Sequence, residues 1–97
     1  MLTGKQARYL RSLAHHLEPI MQIGKGGVTE NLLDQVGLAL EARELIKLSV
    51  LTNSDLTVEQ AAQAVSSGTK SDVVQVIGRT IILYRRSQDH RKIELPR

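Results

Sequence analysis

The chain has 97 residues, 41% of them hydrophobic, no cysteine, and a net charge of +3 with an isoelectric point near 9.6. That length and apolar content suffice for one core without covalent staples, and the missing thiols exclude disulfides, thiolate metal sites and thiol catalysis. No run approaches ~18 apolar residues, and Met1-Leu2-Thr3-Gly4-Lys5 lacks the apolar stretch of a secretory leader, so a cytoplasmic protein with no membrane contact is expected.

The charge is unevenly placed. Residues 1–27 hold four Lys/Arg against one acid, residues 28–72 three against seven, and residues 73–97 six against two. If the fold brings the two basic ends together, the molecule gains a cationic face, the electrostatic footprint of a nucleic-acid binder. The alternative is ordinary solvated surface.

In chain order, Thr3-Gly4-Lys5-Gln6 has capping-box spacing and predicts a helix starting near residue 4. Ala7, Leu10, Leu13, Ala14 and Leu17 recur at helical spacing as an apolar stripe, and Lys5, Arg8, Arg11, Ser12 and His15 fall opposite it. No acid interrupts this cationic face, so its charge is available to phosphates. His15 and His16 are adjacent and point about 100° apart on a helix, so they cannot chelate one ion together, and no metal is expected. Glu18-Pro19 should end the helix, because proline pushes its predecessor out of the α region. Ile20-Met21-Gln22-Ile23 is a short strand leading into Gly24-Lys25-Gly26-Gly27-Val28-Thr29.

Three glycines in four positions let this loop adopt positive φ and approach a ligand without a Cβ in the way. Thr29 is an N-cap candidate for the following helix, whose positive end should lie just after the loop, and Lys25 adds a full charge at the tip. Together these make a phosphate-binding corner. Glu30 and Asp34 suit the first turns of that helix but weaken it as a site for a free anion.

Leu32, Leu33, Val36, Ala39 and Leu40 mark the core stripe of the second helix, over 29–42. Glu44 to Leu51 alternates, with Ile46, Leu48 and Val50 on one face and Lys47 and Ser49 on the other, and predicts a strand. Thr57-Val58-Glu59-Gln60 repeats the capping box ahead of a third helix, expected to end at Ser67-Gly68 with the glycine as C-cap. Val73–Ile77 and Thr80–Tyr84 are β-branched runs joined by Gly78-Arg79, the signal of a type II′ hairpin with Arg79 at its tip. Arg85 and Arg86 leave the last strand, and 86–97 form a basic tail whose Ile93 and Leu95 can dock on the body.

The order is therefore α-β-α-β-α-β-β, which predicts an α/β two-layer sandwich on a four-stranded mixed sheet in one domain, 1–97. Helices 2 and 3 should cover one face. Ile77 and Ile82 on the other call for partial cover by helix 1 or the tail.

Thr3-Gly4-Lys5-Gln6, Leu13-Ala14-His15-His16-Leu17, Ile23-Gly24-Lys25-Gly26-Gly27, Glu44-Leu45-Ile46-Lys47 and Val76-Ile77-Gly78-Arg79-Thr80-Ile81-Ile82-Leu83-Tyr84-Arg85 resemble, in that order, the CRM domain of chloroplast RNA splicing and ribosome maturation. Lys92-Ile93-Glu94-Leu95-Pro96-Arg97 resembles the tail of its stand-alone bacterial YhbY-type members. The resemblance implies a fold like the C-terminal domain of bacterial translation initiation factor three. It also implies RNA binding through a GxxG loop, here Gly24, Lys25, Gly26 and Gly27, and association with precursors of the large ribosomal subunit.

Loops of GxxG type clamp the sugar-phosphate backbone in KH domains, where two helices flank them; here a strand comes first. With no Trp or Phe and only Tyr9 and Tyr84, the chain lacks an aromatic platform for bases, so recognition should rest on backbone and shape. The expected RNA-binding set is Gly24, Lys25, Gly26, Gly27, Lys5, Arg8, Arg11, His15, Arg79 and Arg85, on a monomer without cofactor or small-molecule substrate. A P-loop, GxSxG and HExxH are all missing, so no enzyme is expected. The competing reading is a protein-binding module that docks on a ribonucleoprotein through its acidic middle, without direct RNA contact.

Overall fold

A computed structural model describes residues 2–97. Its elements are α1 (Gly4–Ala14), β1 (Pro19–Ile23), α2 (Glu30–Arg43), β2 (Leu45–Val50), α3 (Val58–Thr69), β3 (Asp72–Ile77) and β4 (Thr80–Tyr84), in the order the sequence predicts. The strands form one sheet, ordered β1-β2-β4-β3. β1 is parallel to β2, to which it is joined through α2, and β4 is antiparallel to both of its neighbours. β3 therefore runs in the direction of β1 and β2, and the hairpin folds β4 back between β2 and β3. Gly78 takes φ of +56° while Arg79 stays at negative φ, the pattern of the expected II′ turn.

Each helix begins where a threonine accepts an N–H three residues on. Thr3 and Thr57 form full capping boxes with Gln6 and Gln60, and Thr29 accepts from Leu32 at 3.1 Å. Each cap satisfies a donor that the first helical turn would leave unpaired, worth about 1 kcal/mol.

Two helix ends differ from expectation. α1 stops at Ala14 rather than near Pro19: His16 and Leu17 bond back three residues, to Leu13 and Ala14 at 3.5 and 3.0 Å, so the chain tightens before the proline forces it out. α3 passes through Gly68 to Thr69, and Lys70 is its left-handed cap at φ 55°. Gly68 serves packing instead, since a Cβ there would lie 2.7 Å from both Leu33 methyls. The glycine lets α2 and α3 close on each other.

The sheet carries a core on each face. Ile46, Leu48, Val50, Ile81 and Leu83 meet Val36 and Leu40 of α2 and Ala61, Ala62 and Val65 of α3. On the other face Leu10 and Ala14 of α1 pack on Leu45, Val74, Ile82 and Tyr84, with Ile93 and Leu95 of the tail alongside. Each large side chain fully buried this way contributes about 1.5–3 kcal/mol. Ile82 is thus covered as expected, whereas Ile77 is 52% exposed.

Two carboxylates hold the tail. Glu44, fully buried and at φ 68°, accepts from the N–H groups of Ser87, Lys92 and Ile93 at 2.9, 2.6 and 2.8 Å. Burial pushes its pKa up, but those three donors and Arg86 outweigh it and the net shift is downward. Glu41 accepts from the Ser87 hydroxyl at 2.6 Å and from the N–H groups of Gln88 and Asp89, which lower its pKa to about 2. Gln6 of α1 closes the clasp by donating to the Pro96 carbonyl at 3.1 Å. Among the described residues no helix is long and apolar enough to cross a membrane.

Candidate nucleic-acid interface

Ile23 pairs with Val50 and Ser49 with Thr80, so β1 and β2 finish, and β4 starts, at one end of the sheet. Three loops gather there: Gly24–Gly27, residues 51–57, and the Gly78-Arg79 turn. Gly24 and Gly27 close a tight turn through the Gly27 N–H to the Gly24 carbonyl at 3.0 Å, with Lys25 and Gly26 at the exposed corner. Only Gly27 of the three glycines needs positive φ, at +71°. A Cβ on Gly26 would meet nothing within 4 Å, so at the tip the freedom is space for a ligand rather than an unusual conformation. α2 follows at Glu30 and presents its positive end behind the loop, tempered by the Glu30 carboxylate.

α1 lies across the opposite half of the face it covers, over Leu45 and Tyr84, which pair at the far end of the sheet. Lys5, Arg8 and His15 are exposed and Arg11 is half-buried. The α1 flank bearing Gln6, Leu13 and Leu17 meets the tail and the far end of the sheet. At 100° per residue Arg8, Arg11 and His15 fall on the opposite flank of the helix, away from the tail. Among the described residues the one ion pair within 4.0 Å is His90 with Glu41, so none of the α1 cations nor Lys25 is neutralised by an acid.

Between α1 and the loop a strip of sheet stays uncovered. Register places Gln22, Lys47, Ser49 and Thr80 on the α1 face, alternating with the core residues Ile23, Leu48, Val50 and Ile81. Lys47 stands at the middle of this strip. Its alternation marked the face it occupies, but nothing in the sequence showed that α1 would leave that face open.

Two expected residues carry other duties. Arg79 lies at the loop end, but its Nε donates to the Val50 carbonyl at 2.6 Å and its Nη2 to that of Leu51 at 2.7 Å. Two of its five N–H groups are so engaged, on a residue that is otherwise exposed. Arg85 is at the far end, where Nη1 donates to Thr69 and Nη2 to Gly37, at 2.8 and 2.9 Å, tying the end of α3 to α2. It is not brought together with the glycine loop. Among the described residues no group of three or more His, Asp or Glu is placed to hold a metal ion.

Comparison with known proteins bears on this arrangement. Residues 2–85 match the CRS1 / YhbY (CRM) domain. The chain is 56% identical over 96 residues to YqeI of Bacillus subtilis, named a probable RNA-binding protein, covering 99% of this chain and 100% of that one. It is 41% identical over 96 residues to an RNA-binding protein of Haemophilus influenzae, covering 99% and 96%. The solution structure of SAV1595 from Staphylococcus aureus superposes with a TM-score of 0.82 at 54% identity, covering 99% of this chain and 100% of that one. With a glycine loop, a cationic first helix and a four-stranded mixed sheet in this order, the chain belongs to the CRS1/YhbY (CRM) family.

Proposed function

We propose that this protein is a monomeric, cytoplasmic RNA-binding protein that grips the sugar-phosphate backbone between its glycine loop and the cations of α1. The observation that carries the reading is the set of unpaired charges: among the described residues Lys5, Arg8, Arg11 and Lys25 have no acid within 4.0 Å, and Lys25 sits beside an open Gly26. Backbone N–H groups at the loop and side-chain charge on the helix suit phosphate, which is the same in every sequence. With only two tyrosines, selectivity comes from RNA shape.

The RNA we assign is ribosomal, in precursors of the large subunit, on the strength of the resemblance to stand-alone YhbY-type proteins. Crosslinking in cells followed by mapping tests this: recovery of mainly precursor large-subunit RNA supports it, and recovery of scattered messengers refutes it. The binding mode is tested by Lys5→Gln, Arg8→Gln and Arg11→Gln together. Glutamine keeps helix propensity, so folding is preserved. Affinity should drop by about 1–2 kcal/mol and the salt slope should become shallower by roughly two to three units if each residue meets one phosphate. Full RNA affinity in the folded triple variant would remove α1 from the interface.

A further inference from the structure

At the far end of the β1 edge, α1, β2 and the tail enclose a cleft of about 460 Å³, within the range of small-ligand sites. Its floor is aliphatic, from Leu13, Leu17, Ile20, Leu45 and Ile93. Arg43, Lys47, Lys92 and His16 stand around it, with Glu18 the one acid on the lining. Among the described residues Arg43, Lys47 and Lys92 form no ion pair within 4.0 Å, so the rim holds net positive charge above an apolar floor.

We propose that this cleft receives one unstacked nucleotide of a bound RNA, its base on the aliphatic floor and its phosphate against Arg43, Lys47 and Lys92; the inference rests on the RNA reading above. Three observations favour a nucleotide. Lys47 belongs both to the cleft and to the open strip of sheet that leads, past Ser49 and Gln22, to the glycine loop. The run from Ile20 to Ile23 along β1 is about 10 Å at ~3.3 Å per residue, so one strand of RNA held at the loop reaches the cleft. Neither Tyr9 nor Tyr84 lines the cleft, so a base leaving its stack here is sheltered by aliphatic surface rather than by an aromatic face.

The probe is a stem-loop RNA with 2-aminopurine placed in turn at each single-stranded position, because this base brightens when it leaves its stacked neighbours and the cleft has no Tyr or Trp to quench it. One position should brighten when the protein binds. Arg43→Gln with Lys47→Gln should abolish the brightening, weaken binding about three- to tenfold and make the salt slope shallower by roughly one to two units. Among the described residues neither side chain makes a hydrogen bond or ion pair, so the double variant should fold, as circular dichroism would verify. Glu18→Gln should tighten binding.

If RNA binds with normal affinity and no position brightens, or if the double variant behaves as wild type, the cleft proposal falls and the RNA reading stands. If no RNA binds at all, both fall. A poly-glutamate peptide that binds wild type but not the double variant, with RNA binding unchanged, would assign the cleft to an acidic protein partner and overturn the proposal.

Discussion

Gly26→Asp puts a carboxylate at the exposed corner of the glycine loop. The position has no positive φ to preserve, and a Cβ would find nothing within 4 Å, so the variant should fold with wild-type stability. If a phosphate comes to about 4 Å of the new carboxylate, repulsion is about 1 kcal/mol in bulk water and about 4 kcal/mol at the effective dielectric near a protein surface. Screening by salt favours the lower part of that range. RNA affinity should therefore fall by about 1–2 kcal/mol, roughly five- to thirtyfold. Gly26→Ala separates charge from bulk: a methyl that only crowds the backbone should weaken binding less than the carboxylate does and leave the salt dependence alone. The assay is fluorescence anisotropy with a structured RNA at several salt concentrations, beside thermal melts of each variant. Equal affinity of wild type and Gly26→Asp at low salt, with both proteins folded, would refute the argument that the loop tip meets phosphate.

Three further outcomes concern what holds the site in place. Glu44→Gln would turn an amide N–H₂ toward one of the three N–H groups that its carboxylate accepts, at a fully buried position. We expect about 2–4 kcal/mol of stability lost, a fall in Tm on the order of 10–20 °C, read by calorimetry. Arg85→Gln should lower Tm by removing the link between the Thr69 and Gly37 carbonyls while leaving RNA affinity per folded molecule unchanged; anisotropy at matched folded fraction decides it. The Glu41 carboxyl is depressed from 4.5 to about 2, so its contribution is fully present above pH 4.5 and disappears as pH falls toward 2. Protection of the Gln88 and Asp89 amides, taken relative to their intrinsic exchange rates, should fall through that window, and Glu41→Gln should abolish the acid dependence.

Much of this fold was legible because local signals agreed with one another. Thr3-x-x-Gln6 and Thr57-x-x-Gln60 mark two helix starts, and Gly78-Arg79 marks the hairpin. Gly68 misled because a glycine near a helix end has two uses, and only the position of Leu33 distinguishes close packing from a cap. The same limit applies to charge. By sequence, Arg79 and Arg85 belong to the expected RNA-binding set with the α1 cations, yet their guanidinium groups face backbone carbonyls contributed from other parts of the chain. Such partners depend on tertiary approach, which no spacing rule encodes. The clasp formed by Glu41 and Glu44 was hidden for that reason: both carboxylates reach residues more than forty positions away. The cleft is not legible in the sequence because its rim is assembled from Arg43, Lys47 and Lys92 on three separate segments.

The two bonds from Arg79 have a thermodynamic consequence. They fasten the hairpin turn to the end of β2, whose Leu51 N–H bonds in turn to the Ile23 carbonyl at 2.9 Å, immediately before Gly24. Three residues beyond that junction the Ser54 N–H bonds back to the Leu51 carbonyl at 3.1 Å, and the Gly27 position abuts Leu56. Three segments that would otherwise fluctuate independently thus form one braced rim. Ordering a loop costs ~1–2 kcal/mol per residue fixed. A rim already braced before its ligand arrives leaves little of that entropy to be lost on association, so Arg79 can favour affinity without contacting a phosphate at all.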